Sequence, residues 1–111
     1  MSTIAALPQL ITALMTAQNN YDSNGFAALF AANAIVHDAG ETYNGPAEIK
    51  QWNEATNEKY RVTLEPAEFL THENGGILTV MVSGNFAGSP APLKYNFAFD
   101  DEKINTLSIT S

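Results

Sequence analysis

Five side chains in this sequence could take part in chemistry: Asp38, His37, Tyr95, Trp52 and His72. Asp38 closes the run Ala34-Ile35-Val36-His37-Asp38. A carboxylate at the rim of an apolar cavity has its charged form disfavoured by desolvation, which raises its pKa toward the range of a general base. The same Asp, followed by Ala39-Gly40, also suits a turn in which the side chain accepts a hydrogen bond from its own backbone. His37 suggests a His–Asp pair, but neighbours on a strand point to opposite faces. A regular strand that sends Asp38 inward with Val36 sends His37 outward with Ile35; one that ends a residue early swings His37 inward as a proton carrier. Tyr95 shares an alternating apolar face with Leu93, Phe97 and Phe99. Its hydroxyl either donates to a substrate oxygen or reaches a backbone carbonyl in the core. Trp52 either lines a cavity mouth or simply packs, and His72, beside Glu73-Asn74, reads as a solvated turn residue.

The composition removes several alternatives. With no Cys there are no disulfides, zinc-thiolate sites or cysteine nucleophiles. Two His residues from distant segments do not make a closed metal-ligand set, and Asp100-Asp101-Glu102 lacks the spacing of a calcium loop. No metal and no cofactor are expected. Twelve acids against five bases give a net charge of −7, which repels a phosphate backbone, and the bases Lys50, Lys59, Arg61, Lys94 and Lys103 form no patch for RNA or anionic lipid. Apolar stretches such as Ala27 to Ala32 are far below the ~20 residues of a membrane span. Residues 1–17 contain no Lys or Arg to begin a signal peptide, so a cytoplasmic protein is expected.

The 111 residues, 45% hydrophobic and 15% charged, suit a single domain with one core. Ile4, Leu7, Ile11, Leu14 and Met15 fall at helical spacing, predicting a helix from about Ile4 to Gln18, with Pro8 near its regular start or breaking one hydrogen bond. A short second helix follows an N-cap at Asp22 or Ser23, with Phe26, Leu29 and Phe30 on one face. Ala34 to Asp38 reads as a brief strand and Glu41 to Tyr43 as another extended piece. Gly45 as N-cap, Pro46 at the first helical position and Glu48 in the first turn then start a third helix. Beyond Tyr60 the period changes to two. Segments Arg61 to His72, Ile77 to Ala87, Leu93 to Phe99 and Ile104 to Thr110 are separated by turns at Asn74-Gly75, Gly88 to Pro92 and Asp100 to Lys103, with Pro66 marking a bulge or an edge. Helices followed by a meander predict an α+β fold, a strongly bent antiparallel sheet wrapped around three helices, with a concave apolar pocket. The uncharged second face of the long strands, with Thr79, Met81 and Ser83, predicts a homodimer through the outer sheet.

The run Phe26 to Asp38, with Ala28-Leu29-Phe30-Ala31 and the pattern A-x-V-x-D at Ala34, Val36 and Asp38, resembles the opening of SnoaL-like and ketosteroid-isomerase-like proteins. Tyr43-Asn44-Gly45-Pro46-Ala47-Glu48-Ile49-Lys50-Gln51-Trp52 is similar to their helix start. The resemblance spans essentially the whole chain and implies the cone-shaped fold of the nuclear transport factor two-like superfamily, a hydrophobic cavity and commonly a homodimer. It gives Asp38 the place of the isomerases' general base. Leu14 falls where those enzymes carry a first-helix Tyr, and Tyr95 where they carry a protonated Asp.

Together these readings predict a small acid–base enzyme, an isomerase, cyclase or hydrolase, acting without a cofactor on a small hydrophobic molecule in a closed cavity. Asp38, Tyr95 and His37 are its candidate catalytic residues, and Leu14, Trp52, Leu93 and Phe97 line the ligand pocket. The rival reading is a binding or dimerising module of the same fold that performs no chemistry. A filled core would make a third reading, a structural dimer.

Overall fold

The computed structural model describes residues 8–111. Ile4 and Leu7, assigned above to the first helix, lie outside the described residues. Helix α1 runs Gln9–Asn19 directly after Pro8, whose missing N–H costs nothing at that position. Its buried side comprises Ile11, Leu14, Met15, Ala17 and Gln18, at spacings of three, one, two and one residues. Helix α2, Ser23–Ala27, is capped by the Asp22 carboxylate, which accepts from the Gly25 amide at 2.9 Å. It ends before Leu29 and Phe30, so the apolar face expected for it is shared with the next strand. That strand, β1, spans Phe30–Asp38 and is longer than Ala34 to Asp38 because pairing resumes on both sides of an irregularity between Phe30 and Ile35. A two-residue turn, Ala39-Gly40 with φ of 53° and 81°, joins it to β2, Glu41–Asn44.

Helix α3, Gly45–Tyr60, begins one residue earlier than expected: Asn44 precedes it, and its amide donates to Glu48 Oε1 at 2.8 Å. Arg61 ends the helix in the left-handed region, and its guanidinium lies 4.2 Å from the centre of the Tyr21 ring. The strands β3 (Thr63–His72), β4 (Gly75–Ser83), β5 (Ala91–Asp100) and β6 (Lys103–Thr110) form the meander. Register shifts between Pro66 and Glu68, as expected of a proline within a strand. Gly75 belongs to β4, so the first turn is Glu73-Asn74, and β4 stops at Ser83 short of Ala87. Both φ values at Asp101 and Glu102 are positive, as a two-residue hairpin requires.

The six strands lie in the order β2-β1-β6-β5-β4-β3. One pairing departs from the antiparallel expectation: β1 runs parallel to β6, making the sheet mixed. No turn connects these two strands, so hairpin geometry does not dictate their direction. Burial alternates along β4, where Leu78, Val80 and Val82 face the core and Ile77, Thr79 and Met81 are half-exposed. The helices cover the inner face, with Leu14, Ile49, Val36, Leu107 and Phe97 at the centre of the core. The described residues measure 34 × 29 × 25 Å.

Candidate functional site

Asp38 is the last paired residue of β1, held opposite Glu41 by the Ala39-Gly40 turn and opposite Ile109 on β6. Ala34 and Val36 are fully buried, and Asp38 follows them onto the same inner face with its carboxylate half-buried. Tyr95 on β5 also pairs with Ile109, so Asp38, Ile109 and Tyr95 form one row across three strands. His37 takes the opposite face. It is exposed, with Nδ1 3.4 Å from Thr42 Oγ1, and pairs with Ser108. The strand stays regular to Asp38 and the inward swing of His37 does not occur, although the ring still borders the cleft around the strand end.

A contact across 14 positions of sequence defines the carboxylate. Trp52 Nε1 donates to Asp38 Oδ2 at 3.3 Å. Helix α3 packs against β1 and β2 and presents two stripes: Ile49, Asn53 and Asn57 buried, and Trp52, Thr56 and Tyr60 half-buried. Trp52 is held on both sides, stacked on Tyr43 at 5.5 Å and 28° and tilted against Phe26 at 6.1 Å. Burial pushes the Asp38 carboxyl above its ordinary value, and the Trp52 hydrogen bond partly offsets this. Burial, and then the charge of Asp38, push the Tyr95 hydroxyl upward, so it stays a proton donor at neutral pH. Tyr95 is 7% exposed, and its hydroxyl makes no hydrogen bond to another described residue.

Two open clefts meet at Thr42. One, of about 600 Å³, runs along α3 and is lined by Tyr43, Glu48, Trp52, Thr56, Lys59 and Tyr60 among others. The other, of about 340 Å³, surrounds the end of β1 and includes Asp38, Glu41, Ser108, Ile109 and Thr110. Of the expected pocket residues, Trp52 borders the first cleft, Leu93 is half-buried against the core, and Leu14 and Phe97 are packed within it at 0% and 2% exposure. Among the described residues no group of three or more potential metal ligands is brought together.

Sequence reasoning missed a second polar assembly. Gln18 Nε2 donates to Asn57 Oδ1 at 2.7 Å and to the Val62 carbonyl at 2.9 Å, while its Oε1 accepts from Asn53 Nδ2 at 2.7 Å. Beside it Asn19 exchanges two hydrogen bonds with the Leu64 backbone. The signal was available in the spacing of Ile49, Asn53 and Asn57, which puts two amides on an otherwise apolar helix face.

A curved mixed sheet with three helices packed on its inner face is the α+β architecture of the nuclear transport factor two-like class. The chain belongs to the SnoaL-like domain family, whose model matches residues 11–105. Among solved structures it is similar to a suspected polyketide cyclase from Sinorhizobium meliloti, at 29% identity and a TM-score of 0.92 over 96% of this chain and 97% of that one. A Catenulispora acidiphila protein of ketosteroid-isomerase-like fold, solved with trimethylamine, aligns at 20% identity and a TM-score of 0.86, covering 96% and 87% of the two chains. The epoxide hydrolase/cyclase-like enzyme SalBIII, of pyran ring formation in salinomycin, aligns at 16% identity and a TM-score of 0.75, covering 92% and 87%. The last two likenesses concern the fold alone. No curated protein matches the chain. Among the described residues no helix is long and apolar enough to cross a membrane.

Proposed function

We propose that this protein is a cytoplasmic acid–base enzyme of the isomerase, cyclase or hydrolase type, acting on a small hydrophobic molecule with side chains alone. Asp38 is the general base. Trp52 is a positioning residue that fixes Oδ2 and leaves the other carboxylate oxygen to take a proton. Tyr95 donates to the substrate oxygen on which negative charge develops. The observation that carries this reading is the row that places the half-buried Asp38 carboxylate and the buried residue Tyr95 on the same inner face with one strand between them. The similarity to a suspected polyketide cyclase supports the reaction class. A screen of enolisable ketones, phenolic polyketide-like compounds and epoxides supplies the substrate for the test. Asp38→Asn is then expected to lower kcat by about 10²- to 10⁴-fold with KM nearly unchanged, because the two side chains are almost isosteric. Unchanged kcat would reject Asp38 as the base.

The packed core around Leu14 and Phe97 favours a second reading, a binding module without chemistry. It predicts ligand binding in the clefts and no turnover of any bound compound. In either reading we propose a homodimer through the outer sheet face. Two rows there, Ile35-Thr106-Ala98 and His37-Ser108-Asn96-Ile77-Leu70, contain no Asp, Glu, Lys or Arg, and Leu70 is 45% exposed.

A further inference from the structure

Helix α3 lays Trp52, Thr56 and Tyr60 in one half-buried stripe, four residues and so about 6 Å apart along the axis. Two aromatic walls rise from this stripe. At one end Trp52 stacks on Tyr43 and bonds Asp38; at the other the Tyr60 ring stands edge-on to Phe86, with ring centres 6.1 Å apart at 89°. Ala55 and Thr56 between them are short, so the cleft of about 600 Å³ is a slot with a small-residue floor and ends about 12 Å apart. The Tyr60 end is held from outside the helix. The connection between β4 and β5, residues 84–90, folds back onto the end of α3, where the Asn85 amide donates to the Tyr60 carbonyl at 2.7 Å. Gly84 permits this approach, because a Cβ there would lie 2.7 Å from the same carbonyl oxygen. The Gly84 amide donates to Ser89 Oγ at 2.9 Å, which closes the connection on itself, and the Lys59 ammonium lies over the Tyr60 ring at 5.1 Å.

We propose that Tyr60, backed by Phe86, is the specificity-determining stop that sets the length of the substrate. The reacting head group lies in the smaller cleft at Asp38, and one slender apolar tail passes Thr42, where the two clefts meet, into the α3 slot and ends against Tyr60. This rests on the reading of Asp38 as the base and adds the shape of the substrate to it. An extended chain advances about 1.2 Å per bond and the rings themselves take part of the slot, so the substrate is a ketone with an unbranched chain of about eight carbons. Carbons within the slot leave water and gain affinity, whereas those beyond Tyr60 stay in solvent and gain none.

Methyl ketones from 2-pentanone to 2-dodecanone, titrated calorimetrically into the intact protein, test the proposal. Affinity is expected to rise about threefold per added carbon and to level off at a chain of about eight carbons. Tyr60→Ala should carry the rise on to 2-dodecanone. Tyr60→Leu, which keeps an apolar contact with Phe86, should move the break by about two carbons, so poor folding of the alanine variant still leaves a variant to decide. Tyr60→Trp should move the break the other way, to shorter chains. Phe86→Ala removes only the backing of the ring and should lengthen the preferred chain as Tyr60→Leu does, a shift that loss of stability alone does not produce. Affinity that keeps rising to 2-dodecanone in the wild type overturns the proposal, as does a break that stays in place in all the Tyr60 variants, or no binding of any ketone up to its solubility. A break unmoved in Phe86→Ala removes Phe86 from the stop. Proton exchange at the carbon beside the carbonyl separates this proposal from the reading of Asp38 as base. Exchange abolished by Asp38→Asn with no break in length sinks only the stop, whereas a break that follows the Tyr60 substitutions without exchange sinks only the base.

Discussion

The Asp38 carboxylate is pulled both ways, raised in pKa by burial and partly restored by the Trp52 hydrogen bond. Because the folded value lies above the unfolded one, the carboxyl favours the fold fully below its unfolded pKa, and this contribution is lost as pH rises through the folded pKa. At pH 7 the ionised group therefore carries a penalty that Asn does not. Asp38→Asn is expected to raise stability by between zero and about 1 kcal/mol at pH 7, discounted for the half that faces solvent, with the gain vanishing below about pH 4. Melting temperatures across this range check it. A mutant destabilised at pH 7 would assign Asp38 to the turn, the role that its neighbours Ala39-Gly40 also suggest. Strand alternation alone put Asp38 and His37 on opposite faces, but which of them turns inward was settled only by the register of β1 against β6. Trp52 as the carboxylate's partner was not legible in the sequence, because nothing local encodes which residue of a helix meets the end of a strand 14 positions away.

Period and turn chemistry showed most of the elements. The switch to alternation after Tyr60, the Pro66 bulge and the Asp22 cap all appear where local physics places them. Strand order and the parallel β1–β6 pair did not emerge, since a pairing between the two ends of a chain leaves no local signature. The amide assembly of Gln18, Asn53 and Asn57 was likewise hidden: Gln18 read as the end of a helix, whereas it joins α1 to α3 and to the Val62 carbonyl just before β3. Every member is paired, and removing one strands the others. Gln18→Leu is expected to destabilise by about 3 kcal/mol, a fall in Tm of roughly 15 °C, because the Asn53 and Asn57 amides and the Val62 carbonyl lose buried partners. A loss below about 1 kcal/mol in thermal unfolding would mean that these groups find water or each other.

For the molecule as a whole, the SnoaL-like domain and its curved sheet follow from the order of elements, while activity depends on a handful of side chains that the fold itself does not specify. The proposed dimer is a property of this scale. Sedimentation at micromolar concentration should show a dimer, and Ile77→Lys, which puts a charge in the centre of the outer face, should shift it toward monomer with the fold intact. A monomer in the wild type would contradict the dimer and leave the inner-face site unaffected.

The central claim is that Asp38 acts as a base while ionised, and the pH profile of catalysed proton exchange tests it most directly. Exchange should rise with pH through an inflection above the ordinary carboxylate value of 3.8 and then level off. Trp52→Phe, which removes the hydrogen bond that favours the ionised form, should move that inflection to still higher pH, and Asp38→Asn should abolish the exchange. A profile flat across the carboxylate range, or one that Asp38→Asn leaves in place, would contradict the account.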